Sequence, residues 1–206
     1  MGPMAVDRVG IVGAGKLGLA FAGVLARAGI SAVMSEGAGR ECRSALVGDL
    51  DGKVRTTTLD EAAEQEVVLL SVPWILVAET LAMVPDWEGR ILIDATDPIL
   101  PDLRPAELGG RTSSEIVKEL APGAQLVKAF NTLPADVLAA NPEEAGGRRV
   151  VFFSGDHVRA KAEVARLIEC LGFAGIDIGG LADGGRLQQF PHGPLRGLNL
   201  VSMARG

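Results

Sequence analysis

The sequence contains no tyrosine, and it has only two histidines and two cysteines among its 206 residues. Histidine and tyrosine are among the side chains that move protons in catalysis, so few candidates remain here for general acid–base chemistry. Cys42 and Cys170 are isolated, and no His or Cys lies at metal-ligand spacing from either of them. We therefore expect no metal site and a reducing compartment.

The sequence also lacks a basic run and a long apolar run. Its net charge of −6 comes from charges of both signs spread along the chain, which is not typical of a protein that binds nucleic acid. The longest apolar stretch runs from Val67 to Ala78 and is interrupted by Ser71 and Pro73. This is shorter than the roughly 20 residues of a membrane-spanning helix. The first residues do not resemble a signal peptide, so a cytoplasmic location without a membrane partner is predicted.

What the chain does have is a regular alternation of Val- and Ile-rich runs with segments of helical period. This alternation is typical of a parallel sheet covered on both faces. The sequence predicts an α/β fold, Rossmann-like and doubly wound, with a mostly parallel sheet and a small C-terminal lobe. Residues 1–130 would form a dinucleotide-binding domain, and residues 131–206 would complete the sheet and shape a second-substrate site. Strands are predicted at Arg8–Val12, Ser31–Ser35, Val67–Val72, Ile91–Ala95, Gln125–Ala129, Val150–Gly155 and Ile176–Ile178.

Helices are predicted in most of the gaps between these strands. Thr112 and Glu115 have the spacing of a capping box, which predicts a helix running to Leu120. Asp156 is predicted to cap a helix that reaches Leu171. Residues 96–111 carry three prolines and a Gly-Gly pair, and they are predicted to form a long irregular loop. Further helices are predicted at Leu17–Ala28, Asp60–Gln65 and Trp74–Met83.

A glycine-rich loop lies directly after the first predicted strand, at the start of a predicted helix. Gly13 would permit a tight turn, Gly15 would let the backbone approach a pyrophosphate, and Gly18 would let the helix pack against the strand. The helix N-terminus would then supply amide hydrogens to the phosphates. This pattern predicts a site for NAD or NADP at Gly13, Ala14, Gly15, Lys16, Leu17 and Gly18.

The end of the second predicted strand bears on the choice between the two dinucleotides. Glu36 lies eighteen residues after Gly18, where a carboxylate typically accepts hydrogen bonds from the adenosine ribose and repels the extra phosphate of NADP. Glu36 therefore favours NAD. Arg40, with Ser35 as a hydroxyl donor, would instead suit NADP. Glu36 and Arg40 could also be solvated loop residues.

Motifs farther along the chain carry a resemblance to a known family. They are Ser71-Val-Pro-Trp74, Thr112-Ser-Ser-Glu-Ile-Val117, Leu126-Val-Lys-Ala-Phe-Asn-Thr-Leu-Pro-Ala135, Phe153-Ser-Gly-Asp156 and Ile176-Asp-Ile-Gly-Gly-Leu181, which leads into Arg186-Leu-Gln-Gln189. In these motifs the sequence resembles the NADP oxidoreductases that use the cofactor 8-hydroxy-5-deazaflavin. This family is related to the cytoplasmic domain of the six-transmembrane metalloreductases.

The resemblance implies direct hydride transfer between a nicotinamide and a deazaflavin or flavin-like co-substrate, with a homodimer as the assembly. Such a transfer needs alignment more than acid–base groups, which fits the scarcity of His and Tyr. The lack of tyrosine also excludes the short-chain dehydrogenases. The resemblance further implies that Ser71, Val72, Pro73 and Trp74 line the nicotinamide and its ribose, and that Ala129, Asn131, Thr132 and Leu133 face the hydride partner.

Two features depart from this family. Its members often carry arginines after the second strand, where this chain has Ser35-Glu-Gly-Ala-Gly-Arg40. The C-terminal residues 190–200 contain two prolines and two glycines instead of a steady helix. Both the cofactor preference and the second substrate therefore remain open at this point.

Alternative functions rest on other residues. A reductase of a small imine or carbonyl would use His192 as proton donor, although a surface histidine is the simpler interpretation. Lys128 and Asn131 suggest a hydroxyacid dehydrogenase, but the chain is too short for the large helical domain of those enzymes. Lys128 could instead extend from a strand end to solvent. Asp94 and Asp97 could hydrogen-bond a ribose or a loop amide. A redox sensor that binds NAD(P) without catalysis is the candidate from another class.

Overall fold

The computed structural model describes residues 8–37, 50, 52–84 and 86–203. Most of its strands lie in a sheet with the order β10-β8-β6-β5-β4-β1-β2-β3, and β7 and β9 both pair with β8. The strands are β1 (Arg8–Val12), β2 (Ser31–Ser35), β3 (Val54–Thr56), β4 (Val67–Leu70), β5 (Ile91–Asp94), β6 (Gln125–Ala129), β7 (Glu143–Glu144), β8 (Gly147–Gly155), β9 (Ala174–Asp177) and β10 (Val201–Met203). The helices are α1 (Lys16–Arg27), α2 (Leu59–Ala63), α3 (Trp74–Ala82), α4 (Ser113–Leu120), α5 (Ala135–Ala139), α6 (Val158–Cys170) and α7 (Asp183–Gln188).

Strands β3, β2, β1, β4, β5 and β6 run parallel to one another, and β8 joins β6 in the antiparallel sense. Alternate residues of one strand therefore face opposite layers of helices. In β4, Val67 and Leu69 belong to a core that includes Phe21 of α1, whereas Val68 and Leu70 belong to a core that includes Leu81 of α3. The fold class predicted from the alternation of strands and helices, a mostly parallel sheet wound on both faces, is confirmed.

The last third of the chain extends this sheet. Strand β8 pairs with β6 near its end, with β9 through residues 150–153, and with β10 through residues 147–149. Strands β3, β7 and β10 and helices α5 and α7 were not predicted from the sequence. All five are between two and six residues long, too short to show a clear period.

The capping box at the start of α4 is confirmed, because the Thr112 hydroxyl accepts from the amide of Glu115 and the Glu115 carboxylate accepts from the amide of Thr112. The prediction that Asp156 caps α6 is wrong. His157 is the N-cap residue and makes no side-chain capping hydrogen bond. The Asp156 carboxylate instead accepts from the amide of Leu181 and from Nζ of Lys118, two partners that are distant in sequence.

Residues 96–111 form the predicted irregular loop, with turns and one isolated bridge between Ile99 and Pro105. The loop begins at the carboxyl end of β5, beside the carboxyl ends of β1, β4 and β6. In open sheets of this type, ligands bind at this edge. The fold thus brings the glycine-rich loop, the end of β4, the long loop and the residues after β6 to one edge of the sheet.

Candidate functional site

The glycine-rich loop connects β1 to α1, as the motif predicted. The amide of Gly13 donates to the carbonyl of Ser35 at the end of β2, with 2.8 Å between nitrogen and oxygen. Helix α1 has Gly15 as its N-cap and no side-chain cap. Because the first amides of a helix lack intrahelical partners, they are available to an anion at this end of α1.

Each of the three glycines meets a different steric environment. A Cβ on Gly13 would lie 2.6 Å from the Ser71 backbone, and its φ of +118° disfavours other residues. A Cβ on Gly18 would lie 1.9 Å from the Gly13 carbonyl oxygen. A Cβ on Gly15 would have no atom of the described residues within 4 Å. Gly13 and Gly18 are thus required by the fold, whereas the space beside Gly15 is open to a ligand.

The second strand ends beside this loop, in register with β1. Glu36 follows β2 directly and is partly exposed, so its position agrees with a role beside an adenosine ribose. Ser35 is 2% exposed, and its hydroxyl has no hydrogen-bond partner among the residues that the structure describes. Arg40 lies outside the described residues.

The end of β4 supports the glycine-rich loop from the other side. The Ser71 hydroxyl donates to the carbonyl of Gly13, at 3.0 Å, so it positions the loop. Val72 is buried in the core with α3, Pro73 is the exposed N-cap residue of α3, and Trp74 is partly buried against the same core.

The residues after β6 lie at the centre of the site. Phe130 is fully buried, and its φ of +66° is a backbone conformation that bulky residues rarely adopt. Its ring packs edge-on against that of Phe21, with 4.9 Å between the ring centroids. Strained backbone of this kind often occurs at functional sites. Asn131 follows, and its Nδ2 donates to Oδ1 of Asp97 and to the carbonyl of Gln188, both at 3.0 Å. Both amide hydrogens of Asn131 are therefore bound to protein, and the residue holds the 96–111 loop against α7.

Gln188 extends this network beneath Asn131. It is fully buried, it accepts from the Ser154 hydroxyl at 2.8 Å, and it donates to the Phe152 carbonyl at 3.2 Å. A buried polar network with its groups paired rigidifies the structure around it. Gln188 thus ties the position of Asn131 to strand β8.

A cleft of about 280 Å³ opens above these residues. It includes Thr132, which is 1% exposed and whose Oγ1 is buried without a hydrogen-bond partner among the described residues. A buried hydroxyl without a partner is costly to the fold, and a ligand in the cleft would supply one. The cleft is lined by Lys16, Leu17, Ala95, Asp97, Asn131, Thr132, Leu133, Pro134, Ala135, Arg196 and Gly197.

A buried ion pair supports the cleft from below. Lys128 and Asp94 are both fully buried, with Nζ of Lys128 lying 3.1 Å from Oδ2 of Asp94 and 3.0 Å from the carbonyl oxygen of Thr96. The interpretation in which Lys128 extends to solvent is therefore wrong, because its ammonium has partners on the neighbouring strand. Asp94 also accepts from the hydroxyls of Thr96 and Ser114, so its carboxylate points into the protein and is not free for a ribose.

Two opposing effects set the pKa of Asp94. Burial acts to raise the pKa, but the charge of Lys128 and the hydrogen bonds from Ser114 and Thr96 lower it more. The net pKa lies below the ordinary value, so the carboxyl stays ionised. The charged pair thus joins the ends of β5 and β6 and fixes the start of the 96–111 loop, from which Asp97 reaches Asn131.

Other predicted site residues are placed differently. His192 is exposed in a turn of the C-terminal segment and does not line the cleft, and Ala129 is fully buried in the core. Arg196 and Gln188 were not singled out as site residues. No sequence signal marks Arg196, which follows Pro194 and Leu195 without a periodic pattern, whereas Gln188 lies within one of the motifs of the resemblance.

Within the described ranges, no group of three or more His, Cys, Asp or Glu residues could hold a metal ion. None of the described helices has the length and apolar character needed to cross a membrane. The described free cysteine, Cys170, is exposed at the end of α6.

Comparison with known protein families agrees with the geometry. Residues 8–98 match the family described as NADP oxidoreductase, coenzyme F420-dependent. Among curated proteins, the rat metalloreductase STEAP3 is 28% identical over 191 residues, which cover 92% of this chain, and the mouse metalloreductase STEAP2 is 27% identical over 118 residues. The chain spans 37% and 22% of the lengths of these two relatives.

Solved structures extend the comparison. The hypothetical protein SMa0349 from Sinorhizobium meliloti is 44% identical, with a TM-score of 0.87 and 96% coverage of both chains. A protein from Arthrobacter sp. FB24, described as a candidate F420-dependent NADP reductase, is 26% identical, with a TM-score of 0.67 and 86% coverage of both. A reductive aminase from Aspergillus terreus, at 19% identity and a TM-score of 0.62, shares the fold over 87% of this chain and 56% of its own. The resemblance drawn from the sequence motifs is confirmed.

Proposed function

We propose that this chain, which is related through residues 8–98 to the NADP oxidoreductases dependent on coenzyme F420, transfers a hydride between NADP(H) and a deazaflavin or flavin-like acceptor. The observation that carries the proposal is the open space beside Gly15, the N-cap residue of α1, which has no side-chain cap. The next two residues of the chain, Lys16 and Leu17, line the cleft. A pyrophosphate would accept hydrogen bonds from the first amides of α1.

The residues present fit such a cofactor. Gly13 and Gly18 allow the close approaches that shape the loop, the described residues leave the space beside Gly15 open, and Ser71 fastens the loop to β4. Glu36, at the end of β2, would stand beside the adenosine ribose, where it favours NADH over NADPH. The match of residues 8–98 to a family of NADP oxidoreductases points to NADPH, so both nucleotides belong in the assay. Bound NADPH would supply the hydride, and the protein would supply orientation and exclusion of water.

The lining of the cleft also suits hydride transfer to a ring that needs little help from protein acids. His192, the proton donor that an imine or carbonyl reductase would use, does not line the cleft. Asp97 accepts from Asn131 and from Arg196 through its two oxygens, so both oxygens are already engaged by protein. The cleft residues thus favour the flavin-like acceptor over the imine.

The test is a turnover assay with purified protein. NADPH and NADH are each mixed with coenzyme F420, FMN, FAD or a small cyclic imine, and nicotinamide oxidation is followed by absorbance. We expect oxidation with a deazaflavin or flavin and none with the imine. With NADPH deuterated at C4, reduced F420 should carry the deuterium on carbon, as direct transfer requires.

The test variant is Gly15→Ala, which should fold normally and lose turnover, and Gly23→Ala in α1 is its matched control. Tight binding of NADPH or NADH without oxidation by any acceptor would refute the enzyme and favour the sensor. Oxidation with the imine alone would favour the imine reductase.

A further inference from the structure

The C-terminal segment returns to the cleft and contributes a cation to it. The amide of Gly197 donates to the carbonyl of Thr132 at 2.8 Å, and the amide of Leu195 donates to the carbonyl of Leu187 at 3.1 Å. These two bonds fasten residues 195–197 to the loop after β6 and to α7. Arg196 and Gly197 line the cleft together with Lys16, Asp97 and Thr132.

The guanidinium of Arg196 is held on one face and at one nitrogen. Its Cζ lies 3.8 Å from the ring centroid of Phe190, which is a cation–π contact. Nη2 donates to Oδ2 of Asp97 at 3.3 Å, a long bond for a charged pair. Among the described residues, its other N–H groups have no hydrogen-bond partner, and its side chain is 35% exposed. Arg196 is thus oriented while most of its donors remain available.

The charges around the cleft do not balance. Lys16 and Arg196 are its cations, and Asp97 is the only acid among the described lining residues. Both oxygens of Asp97 already accept hydrogen bonds from protein. In a chain with a net charge of −6, this local excess of positive charge distinguishes the cleft. An anionic group entering it would meet unpaired donors and no free carboxylate.

The unpartnered Oγ1 of Thr132 is a second and independent sign of a ligand. This oxygen is buried in the residue whose carbonyl anchors Gly197, next to Arg196. Among the residues that the structure describes, the fold leaves it without a hydrogen-bond partner. A polar atom of a bound molecule would form a hydrogen bond with it and remove the free-energy cost of burying the hydroxyl without a partner.

We propose that Arg196 binds a phosphate or carboxylate group of the acceptor, so that the second substrate is an anionic flavin or deazaflavin. This inference rests on the proposed function for the identity of the ring. Arginine presents several donors in a plane and matches both oxyanions. Phe190 and Asp97 hold the guanidinium in place, and Thr132 contacts the same ligand.

FMN and riboflavin provide a direct probe, because they share the ring and the ribityl chain and differ only in the phosphate. Binding of each to the protein saturated with NADP+ is measured by quenching of flavin fluorescence, for the unchanged protein and for Arg196→Gln, Arg196→Lys and the control Arg159→Gln. Arg159 is exposed on α6 and does not line the cleft.

We expect the unchanged protein and Arg159→Gln to bind FMN on the order of tenfold more tightly than riboflavin. Arg196→Gln should lose this preference and leave riboflavin binding and the NADP+ dissociation constant unchanged. Arg196→Lys should keep part of the preference. In turnover, Arg196→Gln should raise KM for FMN with little change in kcat.

Equal affinity of the unchanged protein for FMN and riboflavin would overturn the inference, as would a preference that survives in Arg196→Gln. A change confined to NADP+ affinity would assign Arg196 to the nucleotide and also overturn it. Selective FMN binding without NADPH oxidation would refute the proposed function and leave the role of Arg196 supported.

Discussion

Nζ of Lys128 lies 3.1 Å from Oδ2 of Asp94, and neither side chain is exposed to solvent. The pair crosses from β6 to β5 at the edge of the sheet where the cleft opens. Thr96 and Ser114 complete the hydrogen bonding of the carboxylate. The start of the 96–111 loop, and with it Asp97, is therefore positioned by a charged pair in the core.

Removing the Lys128 ammonium should be costly, because it leaves a buried carboxylate without its counter-charge. We expect Lys128→Met to lower the free energy of unfolding by about 3–5 kcal/mol, measured by urea denaturation followed by circular dichroism. The matched control is Lys118→Met, which breaks the exposed pair with Asp156 and should cost at most about 1 kcal/mol. The double variant Lys128→Met/Asp94→Asn should recover part of the loss, because it removes the uncompensated charge and keeps an acceptor for Thr96 and Ser114. Equal costs for the two single variants would contradict this account.

The three glycine positions predict different outcomes for substitution by alanine in and beside α1. Gly18→Ala should destabilise the protein, since its Cβ would meet the Gly13 carbonyl at 1.9 Å. Gly15→Ala should keep its melting temperature and lose at least about tenfold in NADPH affinity, because the methyl group enters the ligand space. Gly23→Ala, whose Cβ would make ordinary contacts, is the control for both. Calorimetry of unfolding and of binding separates the two effects, and normal binding by Gly15→Ala would argue against a pyrophosphate at this loop.

Glu36 is expected to influence which nucleotide binds. Its carboxylate would repel a 2′-phosphate, so Glu36→Arg should shift the ratio of NADPH to NADH affinity toward NADPH by about tenfold or more. Dissociation constants from nicotinamide fluorescence measure this ratio. Glu64→Arg, an exposed position after α2, is the charge-matched control. If both variants shift the ratio equally, net charge is the cause and Glu36 has no specific role.

Thr132 allows stability and function to be separated. Thr132→Val replaces an unpartnered buried hydroxyl with a methyl group, so the free energy of unfolding should rise by about 1 kcal/mol. At the same time kcat/KM should fall about tenfold, because a ligand loses its partner. Ser113→Ala removes another buried hydroxyl that has no hydrogen-bond partner in the described part of the chain and does not line the cleft, and it should leave turnover unchanged. Unchanged kcat/KM in Thr132→Val would show that the hydroxyl does not contact substrate.

Acid should weaken the protein partly through Glu61. Hydrogen bonds from Arg55 and then Thr57 lower the pKa of this carboxyl from 4.5 to about 2. Because the pKa is depressed in the folded state, the stabilisation is present above the unfolded value and is lost as pH falls toward the folded one. The free energy of unfolding should therefore fall less steeply between about pH 5 and 2 in Glu61→Gln than in the unchanged protein. Glu64→Gln should keep the original slope, which urea titrations at each pH would report.

The sequence by itself determined the elements whose signals are local. The alternation of apolar runs predicted the sheet, the capping box predicted the start of α4, and the glycine spacing predicted the loop, because each depends on residues a few positions apart. The tertiary structure alone decided which polar groups meet. Asp156 accepts from Lys118 instead of capping its helix, Lys128 is buried against Asp94, and Arg196 reaches Asp97 from 99 residues away. Their energies depend on burial and on distant partners, which no local pattern in the chain encodes.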